Sequence, residues 1–461
     1  MIRKVRSAVE HLRQSMEDCS GKQAMIALVL LFAVLCAEFL FFHFDFFSGV
    51  GIHGCDGQEY YAWLRSLIVD GDLDFWNEFT EGSEPHHIAP WVLKLRTADG
   101  RVANITGIGC AILWSPFFAL AAGLSWLSGA PIDGYNPYFQ FLIPFGSVIY
   151  GGFAIWLSYR LCRLCFDRAG SLLGTAGVFL GTTTSFMFSH YPILSHLMAT
   201  TLVSAFLYIA FTGQTPRPLS RWALLGILLG LIGMVRYPAV LVAVVLPAQL
   251  FTQLCGSTAE QRKSLFLRHS LGGIALALGF LIGFFPQLLA WKALYGTWFA
   301  DTYGVGQGRV FDLACPYLLD VLFSWKHGLV AWTPVAGLAI VGLVVMAARS
   351  RGEIPIALAS FFAAWLYMLG CLKWWSFSEI YGNRGFVELT PVFAFGLASL
   401  WQKHKLTGLM VTVVAALQNH LFIWAWQNGF QVNSYADIIW AHLASIERIL
   451  IKLGGLIGKL L

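Results

Sequence analysis

A run of acidic and aromatic residues, Asp56-Gly57-Gln58-Glu59-Tyr60-Tyr61, opens the longest polar segment of the chain. A carboxylate in such a run can take a proton from a hydroxyl, and Asp56 is therefore the candidate general base. Glu59, Tyr60 and Arg65, which follow it, are candidate substrate-binding residues. The structural alternative is a capping box, because Asp-x-x-Glu allows Asp56 and Glu59 to satisfy the first backbone amides of a helix.

A second group of polar residues is basic and lies in short turns flanked by apolar residues. A bare positive charge is costly in that setting, so it requires an anionic partner. Guanidinium geometry favours phosphate, and we therefore predict that Arg236 and Arg384 bind a phosphate group, joined by His196 or Lys326. The alternative is that these side chains extend toward lipid headgroups or, for His196, form an internal hydrogen bond.

The sequence gives weak signals for metal ions and disulfides. Asp70, Asp72, Asp74 and Glu81 occupy positions of a calcium-binding loop, but Phe75 stands where that loop requires glycine. A solvated turn is therefore favoured, and no cofactor is predicted, with a divalent cation as the alternative. The pair His86-His87 lacks further ligands nearby. The nine cysteines are scattered and are interpreted as packing residues.

The elements that carry these residues belong to a membrane protein. The 461 residues are 57% hydrophobic and only 12% charged, which excludes an ordinary soluble globule. We predict an all-α polytopic protein of about eleven transmembrane helices, each needing about 20 apolar residues. The predicted spans are 24–42, 138–162, 171–187, 197–213, 222–235, 237–253, 271–293, 328–348, 353–372, 386–400 and 406–426.

The distribution of Lys and Arg predicts the orientation. With the N-terminus in the cytoplasm, the short segments on that side hold 17 of the 30 basic residues, as the positive-inside rule expects. The extracytoplasmic side then carries the long loop 43–137, which holds eleven of the 25 acids. The apolar stretch 108–127 would reverse every later loop if it crossed the membrane, so we expect a re-entrant or interfacial segment.

This arrangement predicts five regions. Residues 1–23 form a basic cytoplasmic lead, and a first transmembrane helix covers 24–42. The extracytoplasmic loop 43–137 follows, with two juxtamembrane helices, and precedes a transmembrane helical domain over 138–426. Residues 427–461 form an amphipathic surface helix. Within the loop, Asn104-Ile105-Thr106 is an N-glycosylation sequon, relevant only in a eukaryotic host.

The order of these features resembles the polytopic C-type glycosyltransferases, a superfamily that includes protein O-mannosyltransferases, lipid A aminoarabinose transferases and oligosaccharyltransferase. A first span is followed by a long outer loop that opens with an acid, here Asp56. The motifs that carry the resemblance are short: Asp56-Gly57, Tyr60-Tyr61, Arg65-Ser66-Leu67, Asp70-Gly71-Asp72, Ser195-His196, Leu294-Tyr295-Gly296, Phe323-Ser324, His327-Gly328-Leu329, Trp332-Thr333-Pro334 and Gly382-Asn383-Arg384. The sequence departs from protein O-mannosyltransferases, which carry adjacent acids at the loop start, because Gly57 follows Asp56 here.

The resemblance implies transfer of a sugar from a polyprenyl-phosphate donor to an acceptor hydroxyl of a glycan, lipid or protein, with inversion at the sugar carbon. It implies a bacterial inner membrane location with the active site on the extracytoplasmic face, and no nucleic-acid partner. Two alternatives remain open. One is a transporter or flippase of lipid-linked saccharide, and the other is a surface-polysaccharide ligase or polymerase using a pyrophosphate-linked donor.

Overall fold

The computed structural model describes residues 10, 14, 16–43, 51–52, 54–80, 92–213, 216–302, 311–350, 352–377 and 380–444. Across these residues the chain is helical, and its β-structure is limited to two isolated bridges, Arg96 with Val102 and Phe311 with Leu372. The prediction of an all-α polytopic membrane protein is confirmed.

Seventeen α-helices with defined bounds follow one another along the described chain. They are α1 Gly21–Glu38, α2 Cys55–Arg65, α3 Trp76–Thr80, α4 Gly109–Ser128, α5 Pro137–Cys162, α6 Arg168–Gly181, α7 Thr183–Ser189, α8 His196–Phe211, α9 Leu219–Val235, α10 Val245–Cys255, α11 Ala259–Tyr295, α12 Leu318–Phe323, α13 Leu329–Trp332, α14 Pro334–Ser350, α15 Glu353–Gly370, α16 Thr390–Trp401 and α17 Lys405–Gln427. Short 3₁₀ segments, Tyr237–Val244 and Arg384–Leu389, lead into α10 and α16.

The chain divides into two compact units. The insert unit comprises Leu35–Ala154 and Met187–Val310, and the terminal unit comprises Met1–Val34, Ile155–Phe186 and Phe311–Leu461. The insert unit contains the polar loop that opens with Asp56 and the helices packed directly against it.

The number of long apolar helices in the described chain is smaller than the eleven predicted spans. Seven helices are long and apolar enough to cross a membrane, or eight if the bent pair α6 and α7 counts as one. Three shorter apolar helices, α8, α9 and α14, correspond to other predicted spans. The predicted span 386–400 begins as a 3₁₀ segment, and its α-helical part, α16, has only 12 residues.

Helix α4 corresponds to the stretch that was expected to be re-entrant or interfacial. It is one unbroken helix of 20 residues with Pro116 inside it. Trp114 Nε1 donates to Ser147 Oγ of α5 at 2.9 Å, and the Phe118 ring lies 4.7 Å from the Phe139 ring. By length and composition α4 is one of the seven helices that could cross a membrane, so its re-entrant or interfacial position stays a prediction.

Two helices of the insert unit cross at glycines. A Cβ atom on Gly226 of α9 would lie 2.1 Å from the carbonyl oxygen of Leu276, and one on Gly279 of α11 would lie 2.2 Å from that of Ala223. Such close backbone contact is a common way for helices to associate in lipid, where burial of apolar surface gives no driving force.

The terminal unit stabilises the bend between α6 and α7 with a buried side chain. The two helices meet at 66° around Thr182, which leaves backbone carbonyls without helical partners. Asn419 of α17 donates to the carbonyls of Leu180 at 2.9 Å and Thr182 at 3.1 Å, and accepts from Tyr381 Oη at 2.9 Å. The bend is therefore a fixed feature of the unit.

Parts of three predicted regions lie outside the described residues. Most of the basic lead 1–23 is outside the described residues, and so is the segment that contains Glu81, His86 and His87. At the C-terminus a helix covers 435–444, with Ile438 buried and Ile439 exposed, and the rest of the predicted amphipathic helix is outside the described chain.

Candidate active site

Asp56 lies in the first turn of α2. The helix begins at Cys55 with Gly54 as its N-cap, at φ +78°. Asp56 therefore does not occupy the N-cap position that a capping box requires. An acid in a first turn is stabilised by the helix dipole, and the Asp56 carboxylate is half-buried.

One side of α2 packs against the turn that precedes α8. A Cβ atom on Gly57 would lie 2.7 Å from the Ile193 side chain, so a larger residue there would push the helix away. Ser195 Oγ donates to Tyr60 Oη at 3.2 Å. His196, the next residue, is 2% exposed at the start of α8. The structure thus brings Tyr60 and His196, two predicted site residues, to neighbouring positions.

The other side of α2 is held by the segment 104–106. Asn104 Nδ2 donates to the Glu59 carbonyl at 2.8 Å, and Trp63 Nε1 donates to the Thr106 carbonyl at 3.1 Å. Tyr295 Oη in turn donates to the Asn104 carbonyl at 2.7 Å. Asn104 is fully buried, so in the folded protein the sequon residue is a structural element of the site.

The Glu59 side chain, a predicted substrate ligand, is buried at 2% exposure. Its carboxylate lies within electrostatic range of the Tyr295 hydroxyl. Tyr295 belongs to the motif Leu294-Tyr295-Gly296, but its link to Asn104 could not be inferred from the sequence because the two residues are far apart in the chain.

Arg65, at the last position of α2, is bound to groups of the insert itself. Its Nη1 donates to Glu78 Oε1 at 2.7 Å and also to Asp70, and its Nε donates to the Asp133 carbonyl at 3.0 Å. The guanidinium lies over the Tyr135 ring at 4.9 Å. These contacts favour a role in holding the insert together, and its predicted contact with substrate stays a prediction.

Glu78 was missed by the sequence analysis, although it is the most buried acid of this cluster, at 3% exposure. Its pKa is raised from 4.5 to about 7, chiefly by burial. The hydrogen bond from Arg65 lowers this pKa, and the neighbouring Asp70 raises it further. Asp70, by contrast, has a lowered pKa despite burial, because Asn77 and Arg65 stabilise its charged form.

Arg236 occupies the break between α9 and the 3₁₀ segment that follows it. Its backbone is extended at φ −157°, and as the C-cap of α9 it places a cation at the negative end of a helix dipole. A Cβ atom on Gly107 would lie 2.1 Å from the Met234 carbonyl oxygen, and one on Gly109 would lie 2.4 Å from the Val235 nitrogen. The close contact with the segment 107–109 therefore fixes the backbone position of Arg236. Because this segment follows Asn104 in the chain, and Asn104 bonds to α2, it also connects Arg236 to α2.

Lys326 and Arg384 belong to the terminal unit. His327 Nδ1 hydrogen-bonds to the Gly382 carbonyl at 2.9 Å, which brings the two segments together. Lys326 lies over the Trp325 ring at 5.2 Å and Arg384 over the Phe377 ring at 5.5 Å. Their predicted role as phosphate ligands stays a prediction.

Among the described residues, no group of three or more His, Cys, Asp and Glu side chains could hold a metal ion. Glu81, His86 and His87 fall outside that part of the chain.

Comparison with known proteins identifies the class of fold. No protein-family model and no curated protein sequence matches the chain. Solved structures do match: the oligosaccharyltransferase AglB from Archaeoglobus fulgidus, in complex with an inhibitory peptide and a dolichol-phosphate, gives a TM-score of 0.51 at 15% identity, covering 92% of this chain and 54% of AglB. ArnT from Cupriavidus metallidurans, bound to undecaprenyl phosphate, gives 0.54 at 12% identity, covering 93% of this chain and 70% of ArnT.

The chain is thus similar in fold to AglB and ArnT, as the predicted resemblance implied. The chain spans about half the length of AglB. A further AglB structure, in complex with Zn and sulfate, matches at 16% identity with a TM-score of 0.50, covering 91% of this chain and 53% of that one. At these identities the comparisons define the fold and do not assign residues.

Proposed function

We propose that this protein is a membrane glycosyltransferase that moves a sugar from a polyprenyl-phosphate donor to an acceptor hydroxyl on the extracytoplasmic face of a bacterial inner membrane. The observation that carries the proposal is the position of Asp56. It lies in the first turn of a helix held on two sides by buried contacts, in the same unit as His196 and Arg236. The similarity to ArnT bound to undecaprenyl phosphate supports the choice of donor.

The chemistry needs few groups. The Asp56 carboxylate accepts the proton of the acceptor hydroxyl as its oxygen attacks the anomeric carbon of the donor sugar. The bond between that carbon and the phosphate oxygen breaks, and its electron pair leaves with the polyprenyl phosphate. Because the acceptor attacks opposite the leaving group, the configuration at the sugar carbon is inverted.

Arg236 compensates the charge that develops on the leaving phosphate. Its fixed backbone allows the guanidinium to meet the phosphate with little reorganisation. His196 is proposed as a second donor to the phosphate. Lys326 and Arg384 remain phosphate ligands predicted from the sequence.

The test is transfer of a labelled hexose or pentose from polyprenyl phosphate to native membrane acceptors by purified, reconstituted protein. Asp56→Asn should abolish transfer and keep the melting temperature, whereas Asp74→Asn, which alters another acid of the same insert, should retain transfer. Transfer by Asp56→Asn at the original rate would show that Asp56 is not the base. Movement of the intact lipid-linked sugar across vesicles without bond formation would instead support a flippase.

A further inference from the structure

Two cysteines that are far apart in the sequence meet in the terminal unit. Cys315 precedes α12, and Cys371 follows the last residue of α15. The Cys315 and Cys371 thiols lie close enough to interact, and both are free cysteines. Cys371 is 1% exposed, whereas Cys315 is half-buried.

The backbone around the two cysteines is fixed by hydrogen bonds. Asp312 N donates to the Cys371 carbonyl at 2.7 Å, and Tyr317 N donates to the Gly370 carbonyl at 3.1 Å. Phe311 and Leu372 form an antiparallel bridge. Cys315 therefore lies between two points at which its segment is joined to the end of α15.

Local geometry directs the Cys315 side chain toward α15. Cys315 has φ +54°, a conformation that residues other than glycine seldom adopt. Its Sγ is 3.5 Å from the Tyr367 carbonyl oxygen, and a Cβ atom on Gly370 would lie 2.6 Å from that sulfur. Gly370 thus leaves the space that the sulfur of Cys315 occupies beside Cys371.

We infer that Cys315 and Cys371 form a disulfide that ties the segment preceding α12 to the end of α15. The inference rests on the proposed function, because it takes both residues to lie on the extracytoplasmic face. That face is oxidising, which allows disulfides to persist. The bond would fasten the segment that leads through α12 to Lys326.

The oxidation needs an external disulfide, supplied by a thiol oxidoreductase or oxidised glutathione. The Cys315 thiolate attacks one sulfur of that disulfide, forming a mixed disulfide and releasing one thiolate. The Cys371 thiolate then attacks the Cys315 sulfur, completing the bond and releasing the second thiolate. The two protons lost by the cysteines end on the two released thiols, so the external disulfide is reduced as the protein is oxidised.

The test is differential alkylation of the full-length protein in its membrane. Membranes are quenched with acid, denatured in light N-ethylmaleimide, then reduced and treated with the heavy reagent before mass spectrometry. Cys315 and Cys371 should carry a heavy-to-light ratio about tenfold or more above that of the exposed Cys255. In Cys371→Ser, Cys315 should change to the light label. Light label on both cysteines of the unaltered protein would overturn the inference.

A second measurement separates this inference from the proposed function. In intact cells, a membrane-impermeant maleimide should label Cys315 of the Cys371→Ser variant and leave Cys255 unlabelled. If Cys315 is labelled from outside but shows no disulfide in the unaltered protein, the inference fails and the proposed orientation stands. If Cys255 is labelled instead, the orientation is reversed and the proposed function fails with it.

Discussion

Asn104 Nδ2 donates a hydrogen bond of 2.8 Å to the Glu59 carbonyl and so joins the segment 104–106 to the helix that carries Asp56. The same asparagine accepts from Thr106 N and Oγ1 at 3.0 and 2.8 Å, and its carbonyl accepts from Tyr295. One buried residue therefore connects α2 and the entry to α4 through its side chain, and the end of α11 through its backbone carbonyl. The position of Asp56 depends on this connection as much as on α2 itself.

Replacing Asn104 with alanine should lower the stability of the protein by about 1–3 kcal/mol, because buried polar groups would lose their partner. The control is Asn428→Ala, which removes an amide donor to the Trp424 carbonyl at an exposed site and should cost well under about 1 kcal/mol. The measurement is the melting temperature in detergent by tryptophan fluorescence. Equal losses in the two variants would contradict a connecting role for Asn104.

The Glu78 carboxyl should make stability depend on pH in a specific direction. Because its pKa rises from 4.5 to about 7 on folding, the folded state binds more protons between these values. The contribution of Glu78 to the stability of the protein should therefore be greatest below about pH 4.5 and should be lost as the pH rises through about 7. The expected loss is on the order of 3 kcal/mol, from about 1.4 kcal/mol for each pKa unit.

The check is a series of melting curves over that range for the unaltered protein and for Glu78→Gln. Glutamine keeps an acceptor for Arg65 and cannot ionise, so the difference between the two proteins isolates Glu78. Asp70 has a lowered pKa, so its charged form stabilises the folded protein. That stabilisation is lost on acidification, at a pH below the range in which Glu78 titrates. Parallel curves for the two proteins would show that Glu78 does not titrate in this range.

The sequence predicts the long apolar helices closely. Expected spans 138–162, 353–372 and 406–426 correspond to α5, α15 and α17 within two residues at each end. A run of about 20 apolar residues determines such a helix locally, because every backbone group must bond within the segment. The first helix, α1, is likewise found where it was expected.

The interrupted helices were not predictable, because their breaks depend on distant residues. The bend at Thr182 is stabilised by Asn419, and the interruption at Arg236 is packed against Gly107 and Gly109. For the site, sequence reasoning selected residues by type, such as Asp56 and Arg236. It could not reveal that Arg65 is bound by Asp70 and Glu78, since these partners are recognised only after the insert has folded.

Arg236→Lys should reduce transfer roughly 10- to 100-fold, because lysine keeps the charge but cannot offer two parallel donors to phosphate. The loss should appear as a lower kcat, because Arg236 compensates charge that develops on the leaving phosphate, and as weaker inhibition by free polyprenyl phosphate. Arg96→Gln is the control, because it removes an exposed charge of the same unit, one that rests on the Trp76 ring. If Arg236→Lys keeps the original kcat and is inhibited as strongly as the unaltered protein, Arg236 does not bind the phosphate.

The crossing of α9 and α11 provides a test of the fold that does not depend on function. Gly279→Ala places a methyl group 2.2 Å from the Ala223 carbonyl oxygen, which forces the helices apart. We expect the free energy of unfolding to fall by about 1–3 kcal/mol, typical of overpacking.

Gly273→Ala on the same helix is the matched control, because a Cβ atom there has nothing within 4 Å. Alanine is the better helix former, so this variant should be neutral or more stable by up to about 1 kcal/mol. The melting temperatures of the two purified variants decide the matter, and equal values would mean that α9 and α11 do not meet at Gly279.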